Sequence, residues 1–301
     1  WRVAIDTFPQ ERVWDDEHGW QDAPEPPDPP AVVRAHPLTR ADLAPRRFRV
    51  TVTASFEGLP KGARILAPAP RDRHYQKVTK SDHAGAPGAV FASKGGENLV
   101  FLSEPLKAPT ATYRGVIDVE LRYMMPGYLE GLDALSYGDF RYPREAAFAK
   151  AFAAQHGVPS ATPFPSVMKA FDQAVAGTKT TPYEVASSFA QALRKARIPH
   201  RIVQGLRLDG QGSASPHAWV DVLLPRLGWA PFDPLAYRAS GGRGGAFKGR
   251  HPADRIRTIF GAGMAVETDE GKSTFTYAGP FGSPVAIKDG KRVGTMKLSV
   301  T

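Results

Sequence analysis

The chain has 301 residues, of which 42% are hydrophobic and 23% charged, the balance of a globular protein with room for two or three domains. It contains no cysteine, which excludes a disulfide scaffold, a thiolate zinc site and every mechanism built on a thiol nucleophile. No apolar run approaches the roughly eighteen residues of a membrane-spanning helix. The formal net charge of +9 comes from dispersed Lys and Arg without a nucleic-acid-binding motif, so the basic surface reads as solvated and no nucleic-acid partner is expected.

Charge is unevenly placed. Residues 1–31 hold eight acidic residues against Arg2 and Arg12, a net −6 that leaves +15 on the remainder. The run APEPPDPPA over 23–31 suits neither a helix nor a central strand, and residues 1–45 read as an extended acidic arm or linker. From Phe48 the pattern changes. Phe48, Val50, Val52, Ala54 and Phe56 alternate with polar residues, the signature of a half-buried strand. Shorter strands are predicted at 63–66, 90–92 and 99–102, with a second alternating one at 116–123. Turn signals separate them, so 46–125 reads as a small β-sandwich.

Helical spacing takes over next. Phe148 and Phe152 define one amphipathic segment over 144–156, and Val167, Phe171 and Val175 another over 166–176. The strongest helix begins at Pro182, where Thr181-Pro182-Tyr183-Glu184 has the form of a capping box. Strands return at 200–208 and 217–224, and 229–233 runs back as a partner strand. The Gly-rich stretch 241–249 has neither the strand–loop–helix setting nor the Gly-Lys-Ser/Thr ending of a phosphate loop. It reads as a flexible surface loop. A hairpin is predicted from 285–288 and 291–298 around Asp289-Gly290.

Two stretches carry a family resemblance. ASSFAQALRKARIPHRIVQG (186–205) and HAWVDVLLPRLGWAPFDP (217–234) resemble transglutaminase-like proteins, and LAPAPRDRHYQKV (66–78) is similar to the N-terminal domain of bacterial members. The resemblance implies an α+β architecture: a β-sandwich at 46–125, a papain-like or transglutaminase-like core at 130–262, and a β-rich C-terminal segment at 263–301. In such proteins a helix-start Cys attacks an amide, a His on a neighbouring strand takes its proton, and an Asp orients the His. His217 is similar to the family base and Asp233 to the orienting acid. If Leu224 pairs near Gly228, the hairpin places the two on one face as near-diagonal neighbours.

The nucleophile departs from the pattern. Counting sixteen residues back from Ile198, or four back from Ala186, gives Pro182, which has neither a nucleophilic side chain nor a backbone N–H for an oxyanion. The family's loop glycine is Thr180. Thr181, Thr180, Ser187 and Ser188 are the available hydroxyls, but Thr181 is accounted for as an N-cap and the serines lie a turn or more into the helix.

His217 and Asp233 therefore have two readings, a surviving catalytic pair or a structural hydrogen bond holding two strands. Trp219 and Thr181 are candidate ligand contacts, with core packing and helix capping as the alternatives. No metal-ligand spacing is present and no cofactor is implied. Three functions fit: a pseudoenzyme binding a polypeptide or cell-envelope component, an amide hydrolase or transamidase using His217 and Asp233 without a thiol, and a structural or assembly protein. The habits of bacterial relatives imply a periplasmic or secreted location.

Overall fold

The computed structural model describes residues 12–15, 19–22, 44–73, 75–93, 98–124, 143–157, 163–209, 212–225, 227–242, 247–260, 263–268, 273–278 and 283–301. The chain divides into two units, Trp1–Ala44 and Pro45–Thr301. In the first, β1 (Arg12–Asp15) and β2 (Gly19–Asp22) form an antiparallel hairpin in which Trp14 is paired with Trp20. This differs from the wholly extended arm expected there. Val13, Trp14 and Trp20 are strand formers on either side of a short connection. The Pro-rich run 23–31 lies outside the described residues.

The second unit opens with β3 (Arg46–Glu57), β4 (Arg64–Ala69), β5 (Gln76–Ala84), β6 (Gly88–Ala92), β7 (Leu99–Ser103) and β8 (Ala111–Leu121). Helices α1 (Pro143–His156), α2 (Pro163–Ala176) and α3 (Pro182–Lys195) follow. Next come β9 (His200–Leu208), β10 (Ala214–Leu224), β11 (Gly228–Phe232), the short α4 (Pro234–Ala239) and β12 (Arg255–Phe260). The chain continues through β13 (Gly263–Thr268), β14 (Ser273–Ala278), β15 (Val285–Lys288), β16 (Lys291–Arg292) and β17 (Thr295–Val300).

Two sheets face each other as a sandwich, one in the order β16-β15-β4-β7-β6 and the other β17-β3-β8-β5. Alternation in β3 turns Val50, Val52, Ala54 and Phe56 inward. They meet Ile65 and Ala67 of β4, Phe101 of β7 and the inward residues of β8. Strand β5 has no strong apolar alternation, and most of its residues are exposed. As an edge strand it carries Lys77 and Lys80 and a register shift between Val78 and Lys80, features that discourage further pairing.

The C-terminal part of the chain is β-rich: β13 and β14 form a two-stranded sheet of their own, and the later strands join the sandwich. β15 pairs with β4 and β17 with β3, so they complete both sheets. The hairpin expected over 285–298 is correspondingly short, limited to Ile287↔Arg292 and Lys288↔Lys291. Gly294, at φ 69°, then turns the chain across to the other sheet. A Cβ there would come within 2.6 Å of the Glu57 carbonyl oxygen, so the crossing needs glycine.

The papain-like core is a sheet in the order β11-β10-β9-β12 with helices packed on one face. Ala218, Val220, Val222 and Leu224 of β10 share a core with Ala186, Phe189, Ala190 and Leu193 of α3 and with Phe171 of α2. The alternate residue Trp219 packs with Val203 and Phe260. Leu206, Leu208 and Ile256 join the sandwich core, fixing this sheet to the β-domain. Helix α3 ends with Arg197 in the left-handed region, φ 58°, and Ile198 N–H returning to the Leu193 carbonyl. That closing turn brings Ile198 back onto the helix core and starts β9.

His200, at the head of β9, is buried and donates Nδ1–H to the Ile198 carbonyl at 2.7 Å. Burial pushes its pKa down from 6.5 to about 4, so the folded protein favours the neutral ring. Between those values the unfolded chain binds a proton that the folded chain refuses. The contribution is unaffected above pH 6.5 and is lost as pH falls to about 4, a loss of about 3 kcal/mol by linkage. Urea unfolding at pH 7 and pH 4.5 should show a smaller drop in His200→Gln than in wild type. The difference between the two drops isolates this residue from other histidines.

Candidate functional site

Helix α3 starts as its sequence dictates. Thr181 is extended (φ −82°, ψ 143°) and its Oγ1 accepts from Glu184 N–H at 3.4 Å, with Pro182 at the first helical position. The box closes differently from the usual form: the Thr181 hydroxyl donates to Glu184 Oε2 at 2.7 Å. Thr181 is thus engaged on both sides of its hydroxyl. The preceding loop is held from α4, where Arg238 donates to the carbonyls of Val175, Gly177 and Lys179. These groups close the C-terminal end of α2, where a cation is favourable.

His217 and Asp233 are brought together directly. The register of β10 with β11 pairs Leu224 with Gly228 and Val220 with Phe232, so Asp233 follows one residue beyond the ladder. His217 Nε2 lies 2.7 Å from Asp233 Oδ2, with His217 5% exposed and Asp233 fully buried. Asp233 also caps α4, its Oδ1 accepting from Ala236 N–H at 2.9 Å. Its own N–H donates to the Phe247 carbonyl at 2.9 Å. His217 Nδ1 has no hydrogen-bond partner among the described residues and is not one of the buried atoms left without one, so it is the ring nitrogen that reaches the surface.

A third residue completes the cluster, and sequence reasoning misses it. Arg255 of β12 donates Nη2–H to Asp233 Oδ2 at 2.8 Å and Nη1–H to Asp254. It is itself 6% exposed, and its guanidinium lies over the Phe247 ring at 4.9 Å. Burial works against ionisation of Asp233. At the acidic pH where Asp233 would take up a proton, the charge and hydrogen bond of His217 and the charge of Arg255 outweigh it, holding the carboxyl well below the usual carboxylate range. His251 is buried nearby, edge-on to Trp219 at 5.3 Å between ring centres. Burial, then Arg255, push its pKa well below 6.5. The adjacent strand positions carry another buried carboxylate, Asp221, bound by Arg257 at 2.8 Å and by Arg201 at 3.3 Å.

Trp219 does not line a surface. It is 0% exposed, so the expectation that it touches a ligand is corrected to core packing, in keeping with its apolar neighbours Val203 and Phe260. Lys248, in the Gly-rich stretch, lies 4.4 Å from the Tyr237 ring centre and 3.8 Å from Asp172. The remaining loop residues 243–246 lie outside the described residues.

The cluster is thus a buried His–Asp pair held from β10, β11 and β12, and helix α3 of the same domain begins with Pro182. Residues 143–234, about a third of the chain, match the family profile described as the transglutaminase-like superfamily. This segment contains Pro182, His217 and Asp233 and is a transglutaminase-like domain without a cysteine. Two solved structures show similarity. One, described as a candidate cysteine protease from Cytophaga hutchinsonii, is 11% identical with a TM-score of 0.47, over 86% of this chain and 92% of that one. The other, the periplasmic domain of TgpA from Pseudomonas aeruginosa, is 17% identical with a TM-score of 0.26, over 64% of this chain and 89% of that one. No curated protein matches the chain. Among the described residues no helix is long and apolar enough to cross a membrane.

Proposed function

We propose that the transglutaminase-like domain is a catalytically degenerate module that binds an extended polypeptide, with an extracytoplasmic, cell-envelope setting. The observation that carries this reading is Pro182 at the first turn of α3. Acyl transfer by this class of site needs a nucleophile and an oxyanion donor at one residue, and proline offers neither. The hydroxyl next to it, on Thr181, is already committed to capping the helix. With the chemistry gone, binding of an extended peptide is the use that remains to a domain of this kind.

The outward Nδ1 of His217 favours one competing reading, general-base activation of water for amide hydrolysis. A panel of Gln- and Asn-containing peptides separates the two. Wild type and His217→Ala are expected to release ammonia and incorporate amine no faster than buffer, while fluorescence anisotropy shows saturable peptide binding. Release that disappears in His217→Ala overturns the degenerate reading. Absence of both turnover and binding overturns the polypeptide reading as well.

A further inference from the structure

The charge of Asp233 already has a permanent partner. Both His217 Nε2 and Arg255 Nη2 approach the same oxygen, Oδ2, at 2.7 and 2.8 Å. A buried carboxylate requires compensation by one positive charge, and a guanidinium supplies it at every physiological pH. A second proton on His217 would place two cations against one buried oxygen. The other groups facing the ring reinforce this. His251 is held neutral by burial and by Arg255, Trp219 stacks at 6.3 Å between ring centres, and Asp254, on the far side of Arg255, is raised by burial towards its neutral form. Because an ionised carboxylate only accepts hydrogen bonds, the proton between His217 and Asp233 belongs to Nε2. Nδ1 then carries a lone pair.

We propose that Arg255 is a positioning residue that fixes His217 as a neutral Nε2–H imidazole, whose outward Nδ1 accepts a hydrogen bond from a backbone N–H of the bound polypeptide. This rests on the binding reading above and names the chemistry by which the site holds its ligand. Arg255 reaches Asp233 from β12, while Asp233 follows β11, so the two outer strands of the sheet lock the ring held on β10 between them.

The test is long-range proton–nitrogen NMR of the full ¹⁵N-labelled chain at pH 7. Wild type and Arg255→Lys should each show His217 with a protonated Nε2 and a bare, pyridine-type Nδ1. Folded Arg255→Met should show both nitrogens protonated. A wild-type His217 that is doubly protonated, or protonated at Nδ1, overturns the proposal whether or not the Arg255→Met protein folds. Titration with a peptide from the panel should move the Nδ1 resonance, and replacing the responsible peptide N–H by an ester oxygen should weaken binding roughly tenfold. Binding that leaves Nδ1 unmoved overturns the ligand contact. A correct tautomer with no peptide binding at all overturns the polypeptide reading and leaves the role of Arg255 standing.

Discussion

Asp233→Ala should lower the stability of the chain by about 3–5 kcal/mol, the cost of removing one partner from a buried ion pair. The carboxylate serves three groups at once: the ring of His217, the guanidinium of Arg255 and the N–H of Ala236 at the start of α4. Its loss leaves the buried guanidinium of Arg255 with Asp254 alone and uncaps a helix in one step. Asp233→Asn should cost less, because its side-chain oxygen still caps α4. Guanidinium unfolding monitored by tryptophan fluorescence measures both. A loss under about 1 kcal/mol for Asp233→Ala would mean that Arg255 finds another partner or water, and would remove the basis for treating the cluster as a closed unit.

Gly205→Ala should be comparably severe. Gly205 pairs with His217 on one side and Arg257 on the other. A Cβ on it would come within 1.9 Å of the Ile256 carbonyl oxygen. That atom belongs to the backbone of β12, so no rotamer change relieves the clash and the strands β9 and β12 must move apart. About 3 kcal/mol or more is expected, read as a lowered denaturation midpoint. Because β12 carries Arg255, the same change should weaken the hold on Asp233. Amide exchange in β12 should therefore accelerate more than in β3, and equal acceleration in both strands would contradict this account.

The parts of the site readable from sequence were those set by local pattern. Thr181 and Pro182 announce a helix start within four residues. The pairing of Leu224 with Gly228 follows from a tight connection between two strands, and it alone puts His217 within reach of Asp233. Arg255 has no such local sign. It comes from a strand two places away in the sheet, and its partner is set by the β9–β12 register, with its shift between Arg257 and Ile259. The burial of Trp219 was equally open, since alternation assigns it a face of β10 and says nothing of what covers that face. In the β-domain, β3 and β8 were legible because one side of each is buried. The exposed edge strand β5 was missed because it has almost no apolar face to reveal it. Gly294 lies inside the span predicted as a hairpin strand, where no local pattern marks the crossing from one sheet to the other.

The placement of β15 and β17 has a consequence for biogenesis. Strands β3 to β8 leave the ribosome as an incomplete sandwich, with β4 lacking β15 and β3 lacking β17. Those partners are made roughly 160 residues after β8. At about 5–20 residues per second, the unfilled strand edges stay open for on the order of ten to thirty seconds while the transglutaminase-like segment is translated between them. A chain built in this order has a period of vulnerability during synthesis that its finished form does not show, and truncation before residue 285 should yield a product that aggregates.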